Sequence, residues 1–141
     1  MTDQLAADPT ARPRPVIDDL NRPFWEAAAE GRLELQRCSG CSHLRYPVSL
    51  ICSRCLAEEW AWETVSGRGT VYSYIVVHQV YHPAFATEVP YNVVLVQLDE
   101  GPRMFSNVVE KDGKHAKVGD AVQVVFERID ADFVIPRFEL V

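Results

Sequence analysis

The chain has 141 residues, of which 48% are hydrophobic and 24% charged, with a net charge of −6. These are globular values, and they exclude a largely disordered chain. Residues 1–66 and 67–141 each carry seven Lys or Arg against ten Asp or Glu. Neither half is basic, which argues against nucleic acid as the main ligand, and no apolar run approaches the ~18 residues of a membrane span.

Residues 1–17 predict a flexible arm. The first 16 of them contain three prolines and few large apolar side chains, a composition typical of extended segments. They also lack a basic flank followed by an apolar stretch, so we expect no signal peptide and a cytoplasmic location. In a reducing cytosol, paired cysteines are more often metal ligands than disulfides.

Residues 18–31 predict an N-terminal helix. Asn21 or Asp19 can cap its start, and apolar residues recur at helical spacing along it. For the adjacent aromatics Phe24 and Trp25 two interpretations remain open. They pack in the core, or they form a contact with a partner, as aromatic side chains often do at interfaces.

Residues 32–66 predict a zinc ribbon, because four cysteines stand in two Cys-x-x-Cys pairs separated by ten residues: Cys38, Cys41, Cys52 and Cys55. Each pair presents two thiolates to one tetrahedral ion. A closed shell of four thiolates leaves no open position for substrate, so we expect a structural zinc ion. The spacing alone does not separate zinc from iron, and it is also compatible with a dithiol redox pair or with disulfides.

Residues 67–141 predict a small antiparallel barrel. Five β-rich segments bounded by turn signals fit the five-stranded OB-fold. These segments are Val71–Val80, Tyr91–Leu98, Met104–Val109, Ala121–Arg128 and Phe133–Leu140. The expected fold class is therefore mainly β, with an N-terminal helix, a Cys₄ ribbon and a five-stranded barrel.

No catalytic motif is evident in the sequence. There is no Ser-His-Asp context, no phosphate-binding glycine loop and no paired-carboxylate signature. The metal site takes all four cysteines, and His78, His82 and His115 stand in unrelated local contexts. We therefore do not expect the chain alone to be an enzyme. The aromatic connection from residue 81 to 90 either contacts a ligand or caps the barrel.

Several stretches of the chain resemble the DUF35 family, whose members combine a rubredoxin-like zinc ribbon with an OB-fold and are associated with acyl-CoA metabolism. The resemblance covers about residues 18–130. It is carried by the segments Phe24–Cys38, Trp62–Ser73, Pro90–Tyr91 and Val118–Val122. In the family pattern Gly and Pro usually stand where this chain has Ser42 and Ser53.

The resemblance implies a partner enzyme. Family members are typically non-catalytic subunits of thiolase-superfamily enzymes, including thiolases and the aldolases that shorten steroid side chains. For this chain it implies a hetero-oligomer with such an enzyme and involvement in lipid or steroid degradation. From the charge balance and the apolar runs described above, we expect no nucleic-acid partner and no membrane partner. If acyl-CoA or the partner touches the chain, the candidate residues are Phe24, Trp25, Tyr81, His82 and Phe85.

Two rival functions stay open on the sequence alone. Zinc ribbons and OB-folds both commonly bind oligonucleotides, so a nucleic-acid-binding module is the main rival. A freestanding iron redox protein is the second.

Overall fold

The structure, a computed structural model, describes residues 11–141. Residues 1–10 of the predicted arm lie outside the described residues. The described chain folds in the predicted order of helix, ribbon and barrel, and the mainly β fold class is confirmed. Its elements are α1 (Arg22–Ala29), β1 (Leu33–Cys38), β2 (Leu44–Arg45), β3 (Trp60–Val65), β4 (Arg68–Val77), a 3-10 turn (Pro83–Phe85), β5 (Tyr91–Leu98), β6 (Arg103–Ser106), β7 (Val108–Val109), β8 (Ala121–Asp130) and β9 (Phe133–Leu140).

The helix begins later than the sequence predicts, at Arg22 rather than at residue 18. Asp18 and Asn21 bind each other reciprocally, because each backbone N–H donates to the other side chain at 2.9 Å. The Asn21 side chain is thereby engaged outside the helix and forms no cap. At the other end Gly31 adopts a φ of +80°, which terminates the helix in the left-handed conformation that glycine favours.

The ribbon is a three-stranded antiparallel sheet in the order β2-β1-β3. The register places Cys38 opposite Trp60 and Leu33 opposite Val65. The fully buried Gln36 fixes the following loop, because its amide donates to the Ser49 carbonyl at 3.0 Å and accepts from the Ser49 N–H at 2.9 Å. This amide pairing holds the connection between the two cysteine pairs against the sheet.

The second sheet closes into a barrel. Its strands lie in the order β6-β5-β4-β8-β9-β7, and the two end strands are consecutive in sequence, because β6 ends at Ser106 and β7 begins at Val108. β7 pairs in parallel with β9, whereas the other pairings are antiparallel. The barrel therefore has five segments, the third of which is divided between the two ends of the sheet, as in an OB-fold.

The predicted strand Met104–Val109 is in fact two short strands. The buried Asn92 divides them, because its side-chain amide donates to the Val108 carbonyl at 2.8 Å and accepts from the Val108 N–H at 2.7 Å. The Asn92 side chain thus satisfies the backbone N–H and C=O of Val108, as a neighbouring strand would. The chain therefore changes partner strand at Asn107. Before this residue β6 pairs with β5, and after it β7 pairs with β9.

One apolar core joins the helix, the ribbon and the barrel. The helix packs against β1 of the ribbon and β9 of the barrel. The core cluster contains Phe24 from the helix, Leu33 and Leu35 from the ribbon, and Val94 and Phe138 from the barrel. Since burying each such side chain contributes about 1.5–3 kcal/mol, the core ties the small ribbon to the barrel.

Candidate functional site

The four predicted metal ligands converge. The cysteine sulfurs all lie within 4.8 Å of one another. The Cys38 and Cys55 sulfurs are 3.5 Å apart, and those of Cys41 and Cys52 are 3.7 Å apart. A disulfide would need about 2.05 Å, whereas a tetrahedron with Zn–S bonds of ~2.3 Å has an edge of about 3.8 Å. The four sulfurs are therefore spaced as ligands of one tetrahedral metal ion.

The backbone around the sulfurs fits such an ion. The Gly40 N–H donates to the Cys38 sulfur at 3.3 Å. A Cβ at Gly40 would stand 3.0 Å from the Ala57 Cβ and 3.3 Å from the Cys55 sulfur, so a side chain at this position would crowd the cluster. N–H groups directed at sulfur stabilise the thiolate form that metal binding requires.

Backbone N–H groups and neighbouring sulfurs shift the pKa values of Cys38, Cys52 and Cys55. The backbone N–H of Cys41 lowers the pKa of Cys38, and the N–H groups of Cys55 and Arg54 lower the pKa of Cys52 to about 6. At Cys55 the Ala57 N–H favours the thiolate, but the neighbouring Cys38 sulfur and burial outweigh it and raise the pKa to about 12. Four thiolates this close repel one another unless a cation compensates their charge.

Both cysteine turns close through residues with a left-handed backbone. Ser42 and Leu56 each adopt a φ of +64°. Their N–H groups donate to the carbonyls of Cys38 and Cys52 at 3.0 Å and 2.9 Å. Ser42 therefore keeps the turn geometry but occupies a conformation that side chains disfavour.

A groove with a volume of about 770 Å³ opens beside the barrel. Its wall combines residues from the helix, the end of β4, the 3-10 turn, β8 and β9. The main apolar side chains are Trp25, Val76, Phe85, Ile129, Phe133 and Ile135. This volume lies in the range of pockets that hold ligands of drug size.

The chain N-terminal to the helix lies along this groove. Arg12 donates to both carboxylate oxygens of Glu88 at 2.7 Å and 2.9 Å, and its guanidinium carbon lies 5.3 Å from the centre of the Phe85 ring. Arg14 forms an ion pair with Asp130. The prolines at positions 13 and 15 line the groove. Two ion pairs, Arg12–Glu88 and Arg14–Asp130, thus hold residues 12–15, which we call the arm segment, against the groove.

The predicted ligand or partner residues occupy four different environments. Phe24 is buried in the core with 4% of its surface exposed. Trp25 and Phe85 line the groove together. His82 accepts a hydrogen bond from the Ala84 N–H at 3.1 Å and so caps the 3-10 turn, while Tyr81 is 75% exposed.

A histidine–carboxylate pair lies on the groove wall, and no sequence motif marks it. The Nδ1 atom of His115 lies 2.8 Å from Glu110 Oε2. Glu110 also accepts a hydrogen bond from the Asn92 amide at 3.3 Å. Among residues 11–141, no serine or cysteine is hydrogen-bonded to this imidazole.

A second surface was not predicted either. The outward side of β4, β5 and β6, which we call the outer face, is apolar across three strands. The register pairs Ile75 with Val93 and Leu95 with Phe105, and the Arg103 guanidinium lies 3.9 Å from the centre of the Tyr72 ring. The apolar residues of the outer face are Tyr72, Ile75, Val93, Leu95 and Phe105, and the exposed Ser73 lies among them opposite Leu95. One signal in the sequence could have indicated this face. Residues 93–96 of β5 form an unbroken apolar run, which is typical of a strand covered on both sides.

A four-cysteine cluster on a three-stranded ribbon, followed by a closed five-segment barrel, defines a zinc ribbon/OB-fold protein. Two family models match adjacent parts of the chain. One is described as the rubredoxin-like zinc ribbon domain of ChsH2 and matches residues 25–61, and the other as the C-terminal OB-fold domain of ChsH2 and matches residues 62–127. The chain belongs to the DUF35 family.

Three similar proteins illustrate this membership. The probable enoyl-CoA hydratase alpha subunit of Thermomonospora curvata is 40% identical over 138 residues, which is 97% of this chain and 43% of that protein. A DUF35 domain-containing scaffold protein of Methanocaldococcus jannaschii is 34% identical over 97 residues, which is 68% of each. The solved Ltp2-ChsH2(DUF35) aldolase contains a chain of 38% identity with a TM-score of 0.80, covering 90% of this chain and 98% of that one.

The chain therefore spans less than half of the length of the hydratase subunit that it resembles. No helix among residues 11–141 is long and apolar enough to cross a membrane.

Proposed function

We propose that this chain is a non-catalytic accessory subunit that binds a thiolase-superfamily enzyme, either a thiolase or a steroid side-chain retro-aldolase. In this role it helps to form the acyl-CoA site of that enzyme or stabilises the complex. The observation that carries the proposal is the exposed outer face.

The outer face has the composition of a docking surface. Phe105 is 71% exposed, Ile75 61% and Tyr72 50%. Contiguous apolar patches with a polar rim mark interaction sites, and aromatic side chains supply much of the binding energy at interfaces. Arg103 and Gln97 supply such a rim, because Arg103 Nε donates to Gln97 Oε1 at 2.7 Å.

The similar proteins support a role in a complex. The Thermomonospora relative is named as an alpha subunit of a hydratase, and the solved aldolase is named as a pair of Ltp2 with ChsH2(DUF35). The archaeal relative is named as a scaffold protein. Each name describes a part that works beside another protein.

The metal centre fits the same role. We propose that Cys38, Cys41, Cys52 and Cys55 hold a zinc ion, which stabilises the ribbon and has no open position for substrate. All cysteines of the chain are in this cluster, so none is free to act as an acyl-accepting nucleophile. The Claisen or retro-aldol step then belongs to residues of the partner.

Co-expression with a thiolase-superfamily protein from the same organism tests the proposal. We expect the two proteins to copurify in a fixed ratio and the partner to gain solubility or activity. If the partner has the same solubility and activity without this chain and the two do not copurify, the proposed function is wrong.

A further inference from the structure

The arm segment has the sequence Arg-Pro-Arg-Pro, and its backbone is restricted along its whole length. In Pro13 and Pro15 the proline ring fixes φ at about −65°. A residue that precedes proline is confined to extended conformations, and this applies to Arg12 and Arg14. The arm segment therefore loses little conformational entropy when it binds to a surface.

Arg12 is bound by one carboxylate and one aromatic ring, Glu88 and Phe85, which we call the first socket. Both carboxylate oxygens of Glu88 accept hydrogen bonds from Arg12, at 2.7 Å and 2.9 Å, and the guanidinium carbon lies 5.3 Å from the centre of the Phe85 ring. The Phe85 ring packs in turn against Tyr91, with ring centres 6.0 Å apart. The first socket therefore lies on the connection between β4 and β5.

Arg14 is bound in the same way by Asp130 and Phe133, the second socket. Asp130 forms the ion pair through Oδ2, and the guanidinium carbon of Arg14 lies 5.4 Å from the centre of the Phe133 ring. Asp130 Oδ1 accepts the backbone N–H of Asp132 at 2.9 Å. The Phe133 side chain is buried and packs against Trp25, with ring centres 5.4 Å apart. Contacts other than those with Arg14 therefore hold both parts of the second socket in place.

The two sockets together select one kind of ligand. Each combines a negative charge with an aromatic face, and a guanidinium group satisfies both by hydrogen bonds and by cation–π contact. The two bound arginines are separated by a single proline. Residues two positions apart do not face the same side of a helix, so a helical segment cannot fill both sockets. An extended Arg-Pro-Arg segment can.

We infer that the two sockets form a recognition site for extended Arg-Pro-Arg-Pro segments, and that the arm segment is its ligand within the same chain. Bound there, the arm segment is a releasable strap along one wall of the groove, which Arg12, Pro13 and Pro15 line. The Arg12 and Arg14 side chains are 32% and 50% exposed, so salt weakens their ion pairs. The inference goes beyond the proposed function, because the site requires no partner enzyme.

A peptide supplied in solution tests for the site. The probe is a fluorescently labelled peptide with the sequence of residues 11–17, titrated into the full chain and followed by fluorescence anisotropy. In the wild-type chain the arm segment competes, because a short tether gives it an effective concentration in the millimolar range. Arg12→Ala/Arg14→Ala, the arm variant, removes this competitor and keeps both sockets. We expect the arm variant to bind the peptide about tenfold or more tightly than the wild-type chain, and this affinity to fall as salt rises.

Two matched variants separate recognition from release. Glu88→Gln/Asp130→Asn also releases the arm segment, but it removes the carboxylates of both sockets and should gain no affinity for the peptide. Arg22→Ala/Arg68→Ala removes the same charge as the arm variant at exposed positions outside the groove, and should bind the peptide as weakly as the wild-type chain.

A second peptide tests the chemistry of the sockets. It has lysine in place of both arginines and so keeps the charge, but an ammonium group cannot form the planar contacts of a guanidinium. We expect the arm variant to bind it at least about fivefold more weakly than the arginine peptide.

The inference is overturned if the arm variant binds the arginine peptide no more tightly than the wild-type chain, or if it binds both peptides equally well. It is also overturned if light scattering shows a dimeric wild-type chain and a monomeric arm variant, because the arm segment would then occupy the sockets of a second copy. Copurification with the partner uses neither peptide, so failure of this site leaves the accessory-subunit proposal standing.

Discussion

Gly67 lies directly against Val124, and no side chain fits between them. A Cβ at Gly67 would stand 2.1 Å from Val124 Cγ1, and the Gly67 carbonyl accepts a hydrogen bond from the Val124 N–H at 2.8 Å. Gly67 follows the last ribbon strand, whereas Val124 belongs to β8 of the barrel. This contact therefore fixes how the chain passes from ribbon to barrel.

Gly67→Ala should destabilise the protein more than Gly113→Ala. Both glycines have a left-handed backbone, with φ of +74° and +69°, but nothing lies within 4 Å of a Cβ at Gly113. Gly113→Ala should cost only the backbone strain, about 1–2 kcal/mol, while Gly67→Ala adds about 1–3 kcal/mol of steric crowding. Urea unfolding of both variants measures the difference, and equal midpoints would contradict the contact.

Ser42→Gly should stabilise the ribbon. Ser42 has a φ of +64°, which costs a side chain about 1–2 kcal/mol, while glycine loses about 0.5–1 kcal/mol of backbone entropy. We expect a net gain of about 0.5–1 kcal/mol in urea unfolding at saturating zinc, by the difference of these two terms. Ser53→Gly is the control, since Ser53 has no positive φ, and should be slightly destabilising. A loss of stability in Ser42→Gly would refute this assignment of strain.

The sequence predicts the class of the fold because its strongest signals are local. Two cysteine pairs define the ribbon, and alternating apolar runs define most of the barrel strands. The division of the segment Met104–Val109 depends instead on Asn92, more than ten residues away along the chain. The late helix start depends on a side-chain pairing of Asp18 with Asn21. Neither contact leaves a periodic pattern in the sequence.

The metal ligands were predictable for the same reason, whereas the groove was not. Its wall brings together residues as distant as Trp25, Phe85 and Ile135, and only the folded chain places them side by side. The sequence singled out Trp25 and Phe85 as aromatic candidates without showing that they share one cavity.

Removing the metal should unfold the ribbon. Structural zinc in small peptides contributes about 10–16 kcal/mol, which is comparable to the whole stability of a small domain, about 5–15 kcal/mol. We expect chelation to lower the melting temperature strongly, and Cys52→Ser to abolish the single bound zinc seen by native mass spectrometry. Ser53→Ala, the neighbouring change, should retain the ion. Full stability of a chain shown to be metal-free would rule out a structural centre.

Arg12→Ala should release the arm segment at little cost in stability. The Arg12–Glu88 pair is 32% and 43% exposed, and surface pairs contribute only about 0–1 kcal/mol. We expect faster hydrogen exchange in residues 82–89, which the pair covers, with a nearly unchanged melting temperature. Arg22→Ala is the control, because Arg22 pairs only with the nearby Asp19 among the described residues. Unchanged exchange in Arg12→Ala would show that the arm segment is held by other contacts.

The affinity of outer-face variants for the thiolase-superfamily partner tests the central claim most directly. Phe105→Asp and Ile75→Asp place a charge on side chains that are 71% and 61% exposed, so the fold should survive. Val118→Asp, at a side chain that is 65% exposed elsewhere, is the matched control. Calorimetric titration should show that the two outer-face variants lose at least about 2 kcal/mol of binding, with wild-type melting temperatures and a control of wild-type affinity. Wild-type affinity in both outer-face variants would contradict the assignment of this face to the partner.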